Sequence, residues 1–350
     1  MISSESIAHI DPSGMFHYIA DFPSQVEEAV EIGHQARLRS LKGPFSSIVM
    51  TGMGGSAIGG DLLRSYVSQE LSVPCQVNRS YALPAFVNKS TLVVVSSYSG
   101  NTEETLAAYK AAREKGAKIL CLTTGGEVLR LAELSGNPVI KVVPGLQPRA
   151  ALGYSFFPLL LALTRTGILR NQDKNIRETI DLLWRLSRRL SNYQNKANKA
   201  VRIARALHGR LPIIYSAAEH LDAVNVRWRG QISENAKQLA YGHVLPEMNH
   251  NEIVGWEVDR TLMKKTAVLF LKDKGVHERV RLREEITRSI VRRHAGKVLE
   301  VSSEGSSLLA RMFSLVYLGD WVSYYLAILN KRNPTPVKVI EYLKGELSKA

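Results

Sequence analysis

Short, nearly uninterrupted apolar runs alternate with helical stretches through most of this chain, and the alternation limits the folds open to it. The clearest run is Thr-Leu-Val-Val-Val-Ser at residues 91–96. Apolar strands separated by helices are typical of a parallel sheet covered by helices on both faces. In the first half, the pattern predicts strands at 46–51, 75–77, 91–96, 118–123 and 139–143.

The same alternation resumes in the second half, after a helical stretch at residues 151–208. The pattern there predicts strands at 211–216, 266–272 and 298–302, and helices near 219–241, 277–294, 306–329 and 337–348. The first 45 residues also look helical. We therefore predict an α/β protein with two parallel sheets, each flanked by helices.

The length of 350 residues predicts two domains, because an ordinary domain has roughly 150 residues. We predict an N-terminal α/β domain with leading helices at 1–150, a helical connection at 151–208 and a C-terminal α/β domain at 209–350. The two α/β domains share an architecture, although no repeat is visible residue by residue.

The chain is unusually basic, with a formal net charge of +14. Residues 177–210 alone contain nine lysines and arginines. Such a balance can indicate nucleic acid, a membrane surface or an anionic substrate as partner. Because the basic stretch has a helical pattern and few aromatic residues, it favours a solvated connecting helix, and we predict no nucleic-acid partner.

Cysteines and histidines give no sign of a metal site. Cys75 and Cys121 lie singly in apolar runs, which argues against a zinc site and a disulfide framework. The nine histidines show no His-x-x-x-His spacing, so we predict no metal and no other cofactor. Without a signal-peptide pattern or an apolar stretch of ~18 residues, we expect a cytoplasmic protein with no membrane partner.

A glycine-rich loop joins the first predicted strand to a helix, with the sequence Gly-Met-Gly-Gly-Ser at residues 52–56. Gly54 and Gly55 would let the backbone approach an anion at the positive end of the helix, and Ser56 would add a hydroxyl group there. The loop also fits part of a dinucleotide fingerprint, but the next strand ends in Asn78-Arg79 and not in the required acidic residue. A P-loop is excluded because no Gly-Lys-Ser/Thr follows.

Three hydroxyl residues cluster at a second strand-to-helix junction, in the sequence Ser97-Tyr98-Ser99-Gly100-Asn101-Thr102. Taken alone, Thr102 is most simply a helix N-cap. Two such loops in one doubly wound sheet open at the same edge, which is where ligands bind. The hypothesis is that Ser56, Ser97, Ser99 and Thr102 hold a phosphate group with neutral donors.

These two loops resemble the sugar isomerase (SIS) domain, and three later segments narrow the resemblance to one branch. The segments are Arg-Gly-Gln-Ile-Ser-Glu-Asn-Ala-Lys at 229–237, Pro-Glu-Met-Asn-His-Asn-Glu at 246–252 and Asn-Pro-Thr-Pro-Val at 333–337. They are similar to segments of the bifunctional phosphoglucose/phosphomannose isomerases. The resemblance implies two SIS-type domains and an enzyme that interconverts glucose 6-phosphate and mannose 6-phosphate with fructose 6-phosphate.

The resemblance also implies site residues. Glu234 would shuttle a proton between C1 and C2, His250 would help open the sugar ring, and Arg149 would stabilise the enediolate. A lysine on the last helix would assist; it is matched to Lys344, with Lys338 as the competitor. In that family the sites form near a homodimer interface, and the histidine comes from the neighbouring subunit.

The residue types suit this chemistry, since isomerisation needs a base for a carbon-bound proton, a neutral-range acid and fixed positive charge. Individually, each of these residues is ordinarily a surface group, so their assignment depends on the resemblance. Two alternatives stay open: a non-catalytic SIS-domain sensor of sugar phosphates, and an isomerase of an amino-sugar or pentose phosphate.

Overall fold

The computed structural model describes residues 2–39, 41–257, 260–347 and 349. The chain forms two compact units. The sheet-A unit consists of Asp21–Trp184 and Gly305–Met312. The sheet-B unit consists of Met1–Ala20, Arg185–Glu304 and Phe313–Ala350.

The described residues contain α-helices and strands that we number in chain order. The helices are α1 (Ser4–Ile10), α2 (Met15–Ala20), α3 (Phe22–Gln35), α4 (Gly54–Val67), α5 (Glu103–Glu114), α6 (Gly126–Leu134), α7 (Leu152–Arg165), α8 (Asp173–Leu190), α9 (Lys199–Leu207), α10 (Ala218–Ala236), α11 (Arg260–Met263), α12 (Glu278–Arg292), α13 (Leu308–Leu329) and α14 (Lys338–Leu347). The strands are β1 (Ser47–Thr51), β2 (Cys75–Asn78), β3 (Thr91–Ser97), β4 (Lys118–Thr123), β5 (Val139–Lys141), β6 (Leu211–Ala217), β7 (Tyr241–Leu245), β8 (Thr266–Lys272) and β9 (Lys297–Ser302). Short 3₁₀-helices cover Pro148–Ala150, Glu247–His250 and Glu252–Glu257.

Sheet A is parallel throughout, in the order β2-β1-β3-β4-β5. Because β1 lies between β2 and β3, the chain crosses from one side of β1 to the other. Ligands bind at such a switch point, outside the carboxyl ends of the strands. Thr51, the last residue of β1, pairs with Val95 near the end of β3, so the loops after both strands lie at that edge.

Sheet B is also parallel and has the order β7-β6-β8-β9, which repeats the order of the first four strands of sheet A. Its central strands are buried along almost their whole length. One face packs a core that includes Tyr215, Met248, Trp256 and Phe270. The predicted fold class, parallel sheets flanked by helices, is confirmed.

Two local predictions were wrong. The helix predicted to run to residue 241 ends at Ala236, because Lys237 adopts a left-handed conformation with φ 53°, and β7 follows. The Tyr-Gly-His-Val-Leu segment of β7 lacks a continuous apolar run because it forms a half-buried edge strand. The helical pattern assigned to the first 45 residues also extends too far, since the described residues after Gln35 and before β1 contain no helix.

Helix α10 is fixed to α13 by a stripe of polar side chains spaced four residues apart. Arg227 Nη2 and Gln231 Nε2 both donate to the Asp320 carboxylate at 2.8 Å. Asn235 Nδ2 donates to Ser323 Oγ at 2.9 Å. Burial raises the pKa of Asp320, while Arg227 and Gln231 oppose that rise. A buried charge needs its partners, so removal of Arg227 or Asp320 alone would be strongly destabilising.

The part of α13 in the sheet-B unit also approaches α10 closely. Trp228 Nε1 donates to the Leu315 carbonyl at 2.9 Å. A Cβ on Gly319 would lie 2.6 Å from the Trp228 ring, so only glycine fits there. The expectation that no apolar stretch reaches ~18 residues was wrong for α13. Among the described helices, it is long and apolar enough to cross a membrane by length and composition, and 94% of its most apolar window is buried inside the protein.

Glu284 on α12 predicts a pH-dependent stability. Its side chain is buried, 3.9 Å from Lys272 Nζ, and burial raises its pKa to about 7. The folded state therefore binds more protons than the unfolded state between about pH 4.5 and 7, and stability falls as the pH rises through this range. Glu284→Gln, which stays neutral, is expected to be more stable than the parent at pH 8, by up to about 3 kcal/mol, and similar at pH 4.

Urea unfolding at the two pH values measures this effect. Glu285→Gln is the matched control, because Glu285 is the exposed neighbour on the same helix and should change stability by less than about 0.5 kcal/mol. An equal stability change for Glu284→Gln at both pH values would contradict the argument.

Candidate active site

The first loop of the sheet-A unit is open to a ligand. Helix α4 begins at Gly54, and the preceding Met53 is extended and supplies no side-chain cap. Gly54 has φ +50°, and the position of an added Cβ there would have no heavy atom within 4 Å. The N-terminal N–H groups of a helix attract anions when no side chain caps them. The prediction that Gly54 and Gly55 lie at a helix N-terminus therefore agrees with the structure.

The second loop adjoins the first through hydroxyl groups. Ser56 Oγ accepts a hydrogen bond from the Tyr98 N–H at 3.1 Å. Ser97 Oγ accepts from the Gly100 N–H and lies 3.1 Å from Thr102 Oγ1. Thr102 occupies the N-cap position of α5, yet its side chain makes no capping hydrogen bond. The hydroxyl of Thr102 is thus directed to Ser97, and the simple capping interpretation does not describe it.

A third loop, after β4, packs against the second. Gly100 has φ +74°, and a Cβ there would lie 1.8 Å from the Gly125 carbonyl oxygen. Thr124 Oγ1 donates to the Tyr98 carbonyl at 2.7 Å. Ser99 is exposed at the tip of the second loop, where its Oγ accepts from the Asn101 N–H at 3.3 Å. The third loop therefore supports the backbone that presents Ser97 and Ser99.

Arg149 lies on the 3₁₀-helix Pro148–Ala150, which packs against the first loop. A Cβ on Gly55 would lie 2.4 Å from the Pro148 carbonyl oxygen and 3.2 Å from the Arg149 nitrogen. The Arg149 side chain is buried, at 3% exposure. The structure thus brings the predicted enediolate-stabilising residue to the same edge of sheet A as the hydroxyl loops.

Two residues that fix this arrangement were not found from the sequence. The Tyr98 hydroxyl donates to the Val143 carbonyl at 2.8 Å and accepts from the Leu146 N–H, so it holds the segment that leads to Arg149. Burial raises the pKa of Tyr98, against the opposing effect of the bond from Leu146. Gln25 on α3 donates to the Ala150 carbonyl at 2.8 Å. Gln25 carried no local signal, because its partner lies 125 residues away.

In the sheet-B unit, Glu234 occupies the last turn of α10 and lines a cavity of about 560 Å³, which we call the Glu234 cavity. Lys237, which ends the helix, donates from Nζ to the Glu234 carbonyl and to the Pro334 carbonyl, the latter at 3.3 Å. The cavity is lined by Ser233, Glu234, Lys237, Gln238, Leu239, Arg332, Asn333, Pro336, Val337, Lys338, Val339 and Ile340. The 229–237 and 333–337 segments singled out in the sequence therefore meet here.

The two lysine candidates differ in position. Lys338, the first residue of α14, lines the Glu234 cavity. Lys344 lies on the same helix, is exposed and is not among the residues that line this cavity. The structure thus brings Lys338 and not Lys344 together with Glu234.

His250 ends the 3₁₀-helix Glu247–His250 and is exposed. Its segment is fixed to the unit by neighbours on the same turn. Met248 is fully buried in the core of sheet B, and Asn249 Nδ2 donates to Thr287 Oγ1 at 2.7 Å. The histidine is therefore presented at the surface of the sheet-B unit by an anchored backbone.

Glu252, two residues later, anchors the other side of this segment. Its carboxylate accepts hydrogen bonds from the Tyr215 hydroxyl and, at 3.1 Å, from the Tyr241 hydroxyl. His243 Nδ1 lies 3.1 Å from the same carboxylate. Burial, together with the nearby Glu252 charge, raises the pKa of both tyrosines, which therefore stay protonated as donors. No pattern in the sequence indicated this positioning role of Glu252.

The chain matches two family descriptions: the "SIS domain" over residues 45–132 and the "Bacterial phospho-glucose isomerase C-terminal SIS domain" over residues 196–347. It is 45% identical over 335 residues to a bifunctional phosphoglucose/phosphomannose isomerase of Caldicellulosiruptor bescii, which covers 95% of this chain and 99% of that protein. The chain belongs to the bifunctional phosphoglucose/phosphomannose isomerase family. The predicted family is thereby confirmed.

Other relatives agree. A bifunctional phosphoglucose/phosphomannose isomerase of Aquifex aeolicus is 38% identical over 308 residues, covering 87% of this chain and 92% of that protein. A crystal structure of a hypothetical protein from Thermus thermophilus superposes with a TM-score of 0.74 at 15% identity, covering 99% of this chain and 92% of that one. That likeness concerns the fold alone. In our chain, the stretch that matches the first family description contains the hydroxyl loops, and the stretch that matches the second contains the Glu234 and His250 segments. Arg149 lies between these two stretches.

No group of three or more histidine, cysteine, aspartate or glutamate residues suited to a metal ion occurs within the part of the chain that the structure describes.

The contact between Gly55 and Pro148 can be tested by adding one methyl group. Gly55→Ala is expected to destabilise the protein by about 2 kcal/mol or more, because the new Cβ would overlap backbone atoms. Gly60→Ala on the same helix is the matched control. A Cβ on Gly60 would lie 3.4 Å from its nearest neighbours, which are Met50 atoms, and alanine has a higher helix propensity than glycine. Urea unfolding measures both changes. A Gly55→Ala variant as stable as Gly60→Ala would contradict the described packing.

Proposed function

We propose that this chain interconverts glucose 6-phosphate and mannose 6-phosphate with fructose 6-phosphate, by proton transfer through a cis-enediol after ring opening. The observation that carries the proposal is the Glu234 cavity, where a carboxylate and Lys338 line one space in a chain of this family. The carboxylate provides the base that removal of a carbon-bound proton requires, and the lysine can assist the proton transfer of ring opening.

The phosphate group is assigned to the two hydroxyl loops of the sheet-A unit. Gly54, Gly55 and Ser56 lie at an uncapped helix N-terminus, and Ser97 and Thr102 lie at the adjoining loop. Ser99 is the exposed member of the group and would be ordered by the ligand. Binding energy from a remote phosphate positions the reacting end of a sugar without taking part in the chemistry.

The ionisable residues are proposed to act on the reacting carbons of the sugar. Glu234 would remove the proton from C2 of an aldose and return it to C1. His250, assisted by lysine, would pass a proton to or from the ring oxygen, since histidine titrates near neutral pH. Arg149 would supply fixed positive charge for the enediolate. None of these steps uses a metal ion or a cofactor.

One mechanism serves both aldoses. Glucose 6-phosphate and mannose 6-phosphate differ only at C2, so loss of the C2 proton converts both to the same enediol. Rotation about the C2–C3 bond would then let Glu234 return the proton to either face. The proposed place of the enzyme is the hexose phosphate metabolism of the cytoplasm, including glycolysis and gluconeogenesis.

We further propose that the enzyme works as a homodimer, with His250 completing the site of the neighbouring subunit. His250 is exposed, while Met248 and Glu252 on either side of it are fixed to sheet B. An exposed side chain on an anchored backbone is suited to delivery across an interface. We also propose the domain organisation 1–150, 151–208 and 209–350, although the two compact units divide the chain at other positions.

Replacement of Glu234 tests its role as the base. In EDTA-treated protein, Glu234→Gln is expected to lower kcat for both aldose phosphates by about 10²–10⁴-fold, because the amide cannot take up the proton. Formation of fructose 6-phosphate from each substrate measures the loss. Glu219→Gln, on the same helix, is the control: an amide oxygen can still accept from the His277 N–H, and activity should change less than about twofold.

Activity of the unchanged protein on neither aldose phosphate, with sugar phosphates still bound, would support the sensor alternative. Activity on another sugar phosphate alone would support the second alternative. Unchanged activity in Glu234→Gln would remove Glu234 from the mechanism.

Replacement of each lysine in turn separates the roles of Lys338 and Lys344. The family resemblance matches the assisting lysine to Lys344. Lys338, however, lines the Glu234 cavity, and we propose Lys338 as the assisting residue. Lys338→Met is expected to lower kcat by about tenfold or more, and Lys344→Met by less than about threefold, because Lys338 lines the cavity and Lys344 does not. The same assay decides, and the reverse order of effects would assign the role to Lys344.

A further inference from the structure

A second cavity of the sheet-B unit, about 820 Å³ in volume, is lined by α9 and the edge strand β9. It has no lining residue in common with the Glu234 cavity. Its charged lining residues are Arg189, Lys199, Arg202, Arg205, Arg210, Lys297, Glu300 and Glu304. We call it the basic cavity. Six basic residues against two acidic ones leave a local excess of four positive charges.

The two carboxylates in the basic cavity are already paired. Glu304 binds Arg189 at 2.7 Å, and Glu300 binds Arg288 and, at 2.9 Å, Lys272. Within the described part of the chain, Arg202, Arg205 and Lys297 have no acidic partner. The positive charge around the cavity is therefore not neutralised by the protein itself.

The cations of α9 follow the helix period. Lys199, Arg202 and Arg205 are three residues apart, which places them on one face, while Val201 and Ala204 are buried on the opposite side. Like charges at this spacing repel one another and destabilise the helix. Lys199 is half-buried, and burial lowers its pKa. An anion in the cavity would relieve both the repulsion and the cost of burying the Lys199 charge.

The lining also indicates the kind of anion. The described residues that line the cavity include no aromatic side chain on which a base could stack, which disfavours single-stranded nucleic acid. The volume is typical of pockets for small molecules. Guanidinium groups bind phosphate through paired hydrogen bonds. We propose that the basic cavity binds a small polyanion that carries two or more phosphate groups.

The test uses inorganic tripolyphosphate, titrated calorimetrically into the full chain at physiological ionic strength. Saturable binding is expected, and Arg202→Gln with Arg205→Gln should weaken it by at least about tenfold, because two charged hydrogen-bond donors are lost. The matched control is Arg185→Gln with Arg188→Gln, which removes the same charge from exposed positions of α8 outside the cavity. The control should change the affinity by less than about twofold.

A third variant is expected to gain affinity, a result that misfolding would not produce. Glu304→Gln removes a competing carboxylate and releases Arg189, so tripolyphosphate should bind about threefold more tightly. No saturable binding, or equal weakening by the two arginine pairs, would overturn the proposal. Binding that the Arg202/Arg205 pair leaves unchanged would place the anion at another site. Duplex DNA binding with the same dependence on Arg202 and Arg205 would replace the small polyanion with nucleic acid.

Discussion

The parallel pairing of neighbouring central strands determines where this protein can bind a ligand. In sheet A, β1 and β3 run in the same direction, with Thr51 opposite Val95, so the loops after both strands open at one edge. In sheet B, β6 and β8 pair in the same way. If β1 and β3 were antiparallel, Ser56 and Ser97 would lie at opposite ends of the sheet. The hydroxyl loops depend on this pairing more than on any single contact.

Close backbone approach is the second constraint, and glycines make it possible in both units. The missing Cβ of Gly55 leaves room for the turn that contains Arg149, and the missing Cβ of Gly100 leaves room for the loop after β4. In the sheet-B unit, Gly319 admits the Trp228 ring. A Cβ at any of these positions would overlap a neighbouring atom. The surrounding residues can therefore lie this close only because glycine has no side chain.

The helical period of α10 places buried hydrogen-bonding side chains on one face of the helix and the Glu234 carboxylate on another. Gln231 and Asn235, four residues apart, face α13 and are buried in hydrogen bonds. Glu234 is rotated from Asn235 by one residue, about 100°, and lines the cavity instead. The buried side of the helix therefore fixes the backbone that holds Glu234. Both the buried amides and the carboxylate belong to the one segment, 229–237, that carried the family resemblance.

The fold class, most strand positions and the two loops of glycines and hydroxyls could be predicted from the sequence, because these depend on local pattern: apolar runs, helix starts and residues that permit unusual backbone. The family could also be predicted, from motifs that occur in a fixed order. Tertiary structure alone decided that Lys338 and not Lys344 shares the cavity of Glu234, that Gln25 and Tyr98 hold the Arg149 segment, and that Glu252 anchors the His250 segment. Each of these contacts joins residues that no periodicity relates, since they are set by which elements pack together after the chain has folded.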